Sequence, residues 1–116
     1  MVVDDSNVIR RRIERANDLP AVEFVGAARN GVEALQLYDQ LQPTLVTMDL
    51  TMPEMDGAAC VEQLVARDPD LRILVISALA DKLTAIEAIE KGACGFLCKP
   101  FTDRQLNDAL RKLIEG

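Results

Sequence analysis

The sequence holds no histidine and no tryptophan, and only one tyrosine and three phenylalanines in 116 residues. The missing histidine excludes the most. There is no Ser-His-Asp or Cys-His nucleophile, no His-ligated zinc, and no phosphohistidine formed on this chain. Any chemistry must run on carboxylates, lysine and hydroxyls. Cys60, Cys94 and Cys98 are an odd set without paired metal-ligand spacing. They read as small buried apolar residues of a reducing, cytosolic compartment. No apolar run approaches the roughly 20 residues of a membrane span. The charged residues Asp4, Asp5 and Arg10 to Arg12 arrive too early for a signal peptide's apolar core. Basic residues are also in deficit, 13 against 19 acidic, and the net charge of −6 disfavours direct nucleic-acid binding. With 49% hydrophobic and 28% charged residues, the chain reads as one globular domain over residues 1–116.

What is present is an alternation of short apolar runs and amphipathic stretches. Met1-Val2-Val3 is a strand tail running into Asp4-Asp5, short enough to suggest that its beginning is clipped. Ser6 is a helix N-cap, followed by Ile9, Ile13 and Ala16 on one face and Arg10, Arg11, Arg12 and Arg15 on the other. Val22, Phe24 and Val25 form a second strand closed by Gly26. Asn30-Gly31 has hairpin character, but the helical spacing of Val32, Leu35, Tyr38 and Leu41 makes Asn30 a loop or cap residue instead. The central strand, Thr44 to Asp49, is followed by a turn-rich segment with Pro53 and Gly57. A helix over Ala58 to Arg67 turns Cys60, Val61, Leu64 and Val65 inward. Arg72 to Ser77 is a nearly continuous apolar strand, as expected when helices cover both sheet faces. A fourth helix, about Asp81 to Lys91, is expected to bury Leu83, Ile86 and Ile89. Gly95 to Cys98 is the fifth strand, and Thr102 or Asp103 caps a last helix through Leu106, Ala109, Leu110 and Leu113. Five such alternations mean an α/β fold: a doubly wound five-stranded parallel sheet in flavodoxin-like order 2-1-3-4-5, with five helices.

Parallel strands share one C-terminal edge, and four of these end on residues chemistry can use: Asp4 and Asp5, Asp49, Ser77 and Lys99. Singly, each has an ordinary reading as a loop acid, a helix cap or a solvated charge. Their convergence does not. Three neighbouring carboxylates repel one another unless a cation intervenes. Hard oxygen ligands in an open site suit Mg²⁺. Asp49 can then act as a nucleophile toward phosphorus, with Mg²⁺ and Lys99 neutralising the transferring oxygens and Ser77 donating a hydrogen bond.

The runs MVVDDS, VTMDLTMPEMDG and GFLCKPF, with Ser77-Ala78 after a hydrophobic strand, resemble the receiver domain of two-component response regulators, the CheY-like family, over essentially the whole chain. The resemblance implies that Asp49 is the phosphoacceptor and that Asp4 and Asp5 hold Mg²⁺ directly or through water. It implies the Thr51 backbone carbonyl as a further metal ligand, and Lys99 and Ser77 as phosphoryl-binding residues. Lys99-Pro100 is expected to be cis, and Ser77 and Phe96 to form the switch that alters the surface of the fourth helix, fifth strand and fifth helix. The first strand is about two residues shorter than is usual in that family. Thr51 and Leu79 stand where lifetime-tuning residues lie, and neither suits activating water, so self-hydrolysis is expected to be slow. The implied partners are a sensor histidine kinase or histidine-phosphotransfer protein and a downstream protein target or output domain. Neither nucleic acid nor membrane is engaged directly, and phosphorylation-dependent dimerisation is compatible with the family. The arginine face beside the acid pair can dock an acidic phosphotransfer partner.

The chain is thus expected to be a phosphorylation-controlled module and not a turnover enzyme, either free-standing or cut from a larger regulator. A haloacid-dehalogenase-like phosphatase would want a second carboxylate two residues after the nucleophile, where this chain has Thr51. A pseudo-receiver scaffold would not need Asp4, Asp5, Asp49, Ser77 and Lys99 together.

Overall fold

Most of the apolar runs in the sequence form strands that pair with their neighbours in one sheet. The computed structural model describes residues 1–50, 57–78 and 82–115, Lys82 in its backbone alone. Among them lie β1 (Val2–Val3), α1 (Asn7–Ala16), β2 (Ala27–Ala28), α2 (Gly31–Leu41) and β3 (Leu45–Asp49). Then follow α3 (Gly57–Arg67), β4 (Arg72–Ala78), α4 (Lys82–Glu90), β5 (Gly95–Lys99) and α5 (Asp103–Glu115). The sheet is parallel throughout, in the order β2-β1-β3-β4-β5, as expected.

Strand pleating sends alternate residues to opposite faces. Val46, Met48, Ile73 and Val75 join Leu35, Leu64 and Ala88 in one buried cluster, so α2, α3 and α4 cover that face. Val2, Leu74 and Ile76 join Ile13, Leu106 and Leu110 in the other, beneath α1 and α5. Ser6 caps α1 by accepting the Ile9 amide, and Asn30 caps α2 by accepting that of Glu33. For α5 the choice falls on Thr102: its hydroxyl accepts the Gln105 amide while Gln105 Oε1 accepts the Thr102 amide, a reciprocal capping box. The buried Asn107 ties α5 to the end of α1, donating to the Ala16 carbonyl and accepting the Asp18 amide.

Four expectations need correction. The second strand is Ala27–Ala28, not Val22 to Val25. The register pairs Val2 with Ala27 and Val3 with Ala28, so the paired residues follow Phe24 and Val25, and both of those are exposed. In α2, Ala34, Leu35 and Tyr38 are buried but Val32 and Leu41 are not, because Gly31 takes the inward position at the helix start. In α4, Leu83 is 83% exposed and Ile86 and Ile89 also face outward, while Ala85 and Ala88 point inward. Of the cysteines only Cys60 is buried; Cys94 is exposed before β5, and Cys98 is half-buried on that edge strand. Among the described residues no helix is long and apolar enough to cross a membrane.

Candidate functional site

The site begins with β3, whose alternation buries Val46 and Met48 beneath α3 and leaves Asp49 at the sheet edge on the α1/α5 side. Asp49 is only 4% exposed. Helix α3 starts hard against it. The Gly57 amide donates to the Leu50 carbonyl at 3.0 Å, and a Cβ on Gly57 would stand 2.4 Å from the Asp49 carbonyl oxygen. Only glycine fits so close an approach of backbone to backbone.

The register places Val3 beside Met48, so the next residue, Asp4, reaches the level of Asp49. Asp4 is 1% exposed and fully engaged. Its amide donates to the Ala28 carbonyl at 3.1 Å, its Oδ1 accepts the Ser6 amide at 2.8 Å, and its Oδ2 accepts Lys99 Nζ at 3.1 Å. Lys99 also donates to Asp49 Oδ1 at 3.4 Å, spanning the two buried acids from β5. Asp5 is exposed, and one oxygen from each of Asp4, Asp5 and Asp49 lies within 4.8 Å of the others. Three carboxylates thus face one ammonium. Burial alone would lower the Lys99 pKa, but the attraction and hydrogen bonds of Asp4 and Asp49 outweigh it and raise it. The donor set suits a hard divalent cation: carboxylate oxygens, with one ligand open to the water that such ions retain.

Ser77 pairs with Cys98, one step beyond Ile76, the partner of Asp49. It is buried, and its hydroxyl donates to the adjacent Ala78 carbonyl at 3.3 Å, outside the ion-paired cluster. Phe96 pairs with Val75, which puts it on the same sheet face as Ser77, and it is 41% exposed. The Lys99-Pro100 peptide is cis. The Thr51 carbonyl and Leu79 lie outside the described residues. Gly57 reads in the sequence as a turn residue, and no pattern in the chain marks its contact with Asp49. The four arginines of α1 share one face by helical spacing alone. Instead Arg10 donates to the Asp4 carbonyl and Arg12 to the Phe101 carbonyl, leaving Arg11 and Arg15 exposed.

Residues 1–111 match the model of the response regulator receiver domain. The chain is 38% identical over 112 residues to the chemotaxis protein CheY of Listeria monocytogenes, covering 97% of this chain and 94% of that one. It is 40% identical to a protein-glutamate methylesterase/protein-glutamine glutaminase of Shewanella denitrificans, but spans only 30% of its length. Among solved structures, the receiver domain of NtrX from Brucella abortus superposes with a TM-score of 0.90 at 28% identity, covering 99% and 97% of the two chains. The REC domain of AraT from Geobacillus stearothermophilus gives a TM-score of 0.92 at 29% identity, covering 98% and 90%. With the sheet order, the family match and these relatives in agreement, the chain belongs to the CheY-like response regulator receiver domains of two-component systems.

Proposed function

We propose that Asp49 accepts a phosphoryl group from a phosphohistidine on a partner protein, in a site that holds Mg²⁺ through Asp4, Asp5, Asp49 and the Thr51 carbonyl. The observation that carries this reading is the single lysine spanning two buried carboxylates, 3.1 Å from Asp4 and 3.4 Å from Asp49. Burying two acids side by side is costly, since they repel and resist desolvation, and one ammonium offsets only part of their charge. An Asp49 carboxylate oxygen attacks phosphorus, a P–O bond forms, the P–N bond to the donor imidazole breaks, and that nitrogen recovers a proton. Bound Mg²⁺ supplies charge neutralisation for the phosphoryl oxygens. Lys99 supports the same oxygens with its ammonium, and the Ser77 hydroxyl turns from the Ala78 carbonyl toward them. Burial of Asp4 and Asp49 excludes bulk water from the attacking oxygen.

The reading makes the chain a signalling module confined to its own phosphorylation and dephosphorylation, acting in the cytoplasm as one domain over residues 1–116. Its kinase-facing surface is the outer side of α1, with the exposed Val8, Arg11 and Arg15. Its output surface is α4, β5 and α5, where Leu83, Ile86, Ile89 and Phe96 are exposed and Ser77 and Phe96 relay the change. Both full-length CheY relatives and a much longer methylesterase relative match, so a free-standing receiver and one joined to an output domain are both represented among its kin. The test is incubation with a small phosphodonor and Mg²⁺, read by intact mass. Gain of one phosphoryl group, lost in Asp49→Ala and on chelation of the metal, is expected; phosphorylation that persists in Asp49→Ala overturns the assignment.

A further inference from the structure

The four arginines of α1 divide by task. Arg12 stacks on the Phe101 ring at 4.7 Å and pairs with Asp103 at 3.9 Å. Arg10 turns back across the loop it follows. One guanidinium nitrogen donates to the Asp4 backbone carbonyl at 2.7 Å, the other to Asn7 Oδ1 at 3.2 Å. The first of these is short for an N–H···O bond, as charge-assisted bonds are.

That carbonyl belongs to the peptide that joins Asp4 to Asp5. A peptide is a rigid plane, so holding its oxygen orients the amide on its other side and the Cα that follows. Asp4 does not need this help, because its amide and both carboxylate oxygens already have partners. Asp5 does. It is exposed, and among the described residues no hydrogen bond or ion pair holds its carboxylate, yet it stands within 4.8 Å of the other two acids. We infer that Arg10 is a positioning residue: by fixing the Asp4–Asp5 peptide plane it aims the Asp5 carboxylate at the cation site. The inference rests on the reading of Asp4, Asp5 and Asp49 as a Mg²⁺ site.

Charge and position make opposite demands here. A guanidinium beside a cation site repels the cation, so losing its charge alone would tighten Mg²⁺ binding. Losing its grip on the peptide would weaken it, by about tenfold, the scale on which partners that orient metal ligands act. The experiment is calorimetric Mg²⁺ titration at fixed ionic strength of the wild type, Arg10→Ala, Arg10→Lys, Asp5→Ala and the Asp5→Ala/Arg10→Ala double variant, with unfolding curves for each. Expected are weaker binding in Arg10→Ala, recovery in Arg10→Lys, which can still donate to the carbonyl, and no further loss when Arg10→Ala is added to Asp5→Ala. Equal or tighter binding in Arg10→Ala, no recovery in Arg10→Lys, or a further loss in the double variant overturns the inference while leaving the metal site standing. A wild type that binds no Mg²⁺ overturns both.

Discussion

Lys99 lies 3.1 Å from Asp4 and 3.4 Å from Asp49 with its side chain 24% exposed, so its charge bears on stability as well as on chemistry. Replacing it with methionine leaves two buried acids with less compensation. Lys99→Met is expected to lower stability by about 2 kcal/mol in metal-free buffer, below the full cost of breaking a buried pair because solvent screens part of it. Saturating Mg²⁺ should narrow that gap, measured by urea unfolding. The sign with pH follows from the raised Lys99 pKa. The folded state keeps the proton longer than the unfolded chain, so the contribution is whole below the usual lysine value of 10.5 and is lost as pH rises above it. Tyr38 acts in the same direction, because burial and the hydrogen bond to Asp68 raise its pKa above the usual 10.0. Tyr38→Phe is therefore the background in which to measure the loss; a Lys99→Met profile that falls as steeply as its parent's would contradict the pairing. Asp4, Asp5, Asp49 and Lys99 were readable in the sequence because each interrupts an apolar run at its end. Arg10 was not, since an arginine among arginines on a helix carries no mark of the carbonyl it reaches.

At the scale of elements, α4 separates what periodicity can tell from what it cannot. Leu83, Ile86 and Ile89 recur every three residues, and so do Ala85 and Ala88, on the opposite side. The large residues were the natural choice for the core, yet the alanines face it. Helix α4 packs against α3 and β4, and small side chains there permit close approach. Leu83→Ser is accordingly expected to change stability by less than about 0.5 kcal/mol, whereas Ala88→Leu over-packs a fully buried position and costs about 1 to 3 kcal/mol. Thermal or urea unfolding of the two variants checks this; a larger loss from Leu83→Ser would reverse the orientation of the helix. The same outward face, with Phe96 at 41% exposure, is the apolar surface offered to a downstream partner in the proposed function. Strand β2 failed for a different reason. Val22 to Val25 carry the apolar pattern, but the residues that pair with β1 are Ala27 and Ala28.

For the whole molecule, the cation site proposed at the acid cluster would link folding to cation concentration. A ligand that binds only the folded state stabilises it by mass action, about 2.7 kcal/mol at one hundred times its dissociation constant. Mg²⁺ should raise the unfolding midpoint of the wild type accordingly and have little effect on Asp49→Asn. That variant should also be the more stable of the two without metal, since a buried repulsion is gone. An equal Mg²⁺ response in Asp49→Asn would show that the cation acts elsewhere.

The alternation of strands and helices, the parallel sheet, and the side chains at its C-terminal edge are legible in the chain alone. These follow from local facts: apolar runs, caps such as Ser6 and Asn30, and the rule that parallel strands end together. Contacts between distant segments set the face α4 turns inward, the need for Gly57 against Asp49, and the fold of Arg10 onto the Asp4 carbonyl. Each of these depends on how much space a distant segment leaves or which of its atoms comes within reach, and no residue carries that information in its own neighbourhood.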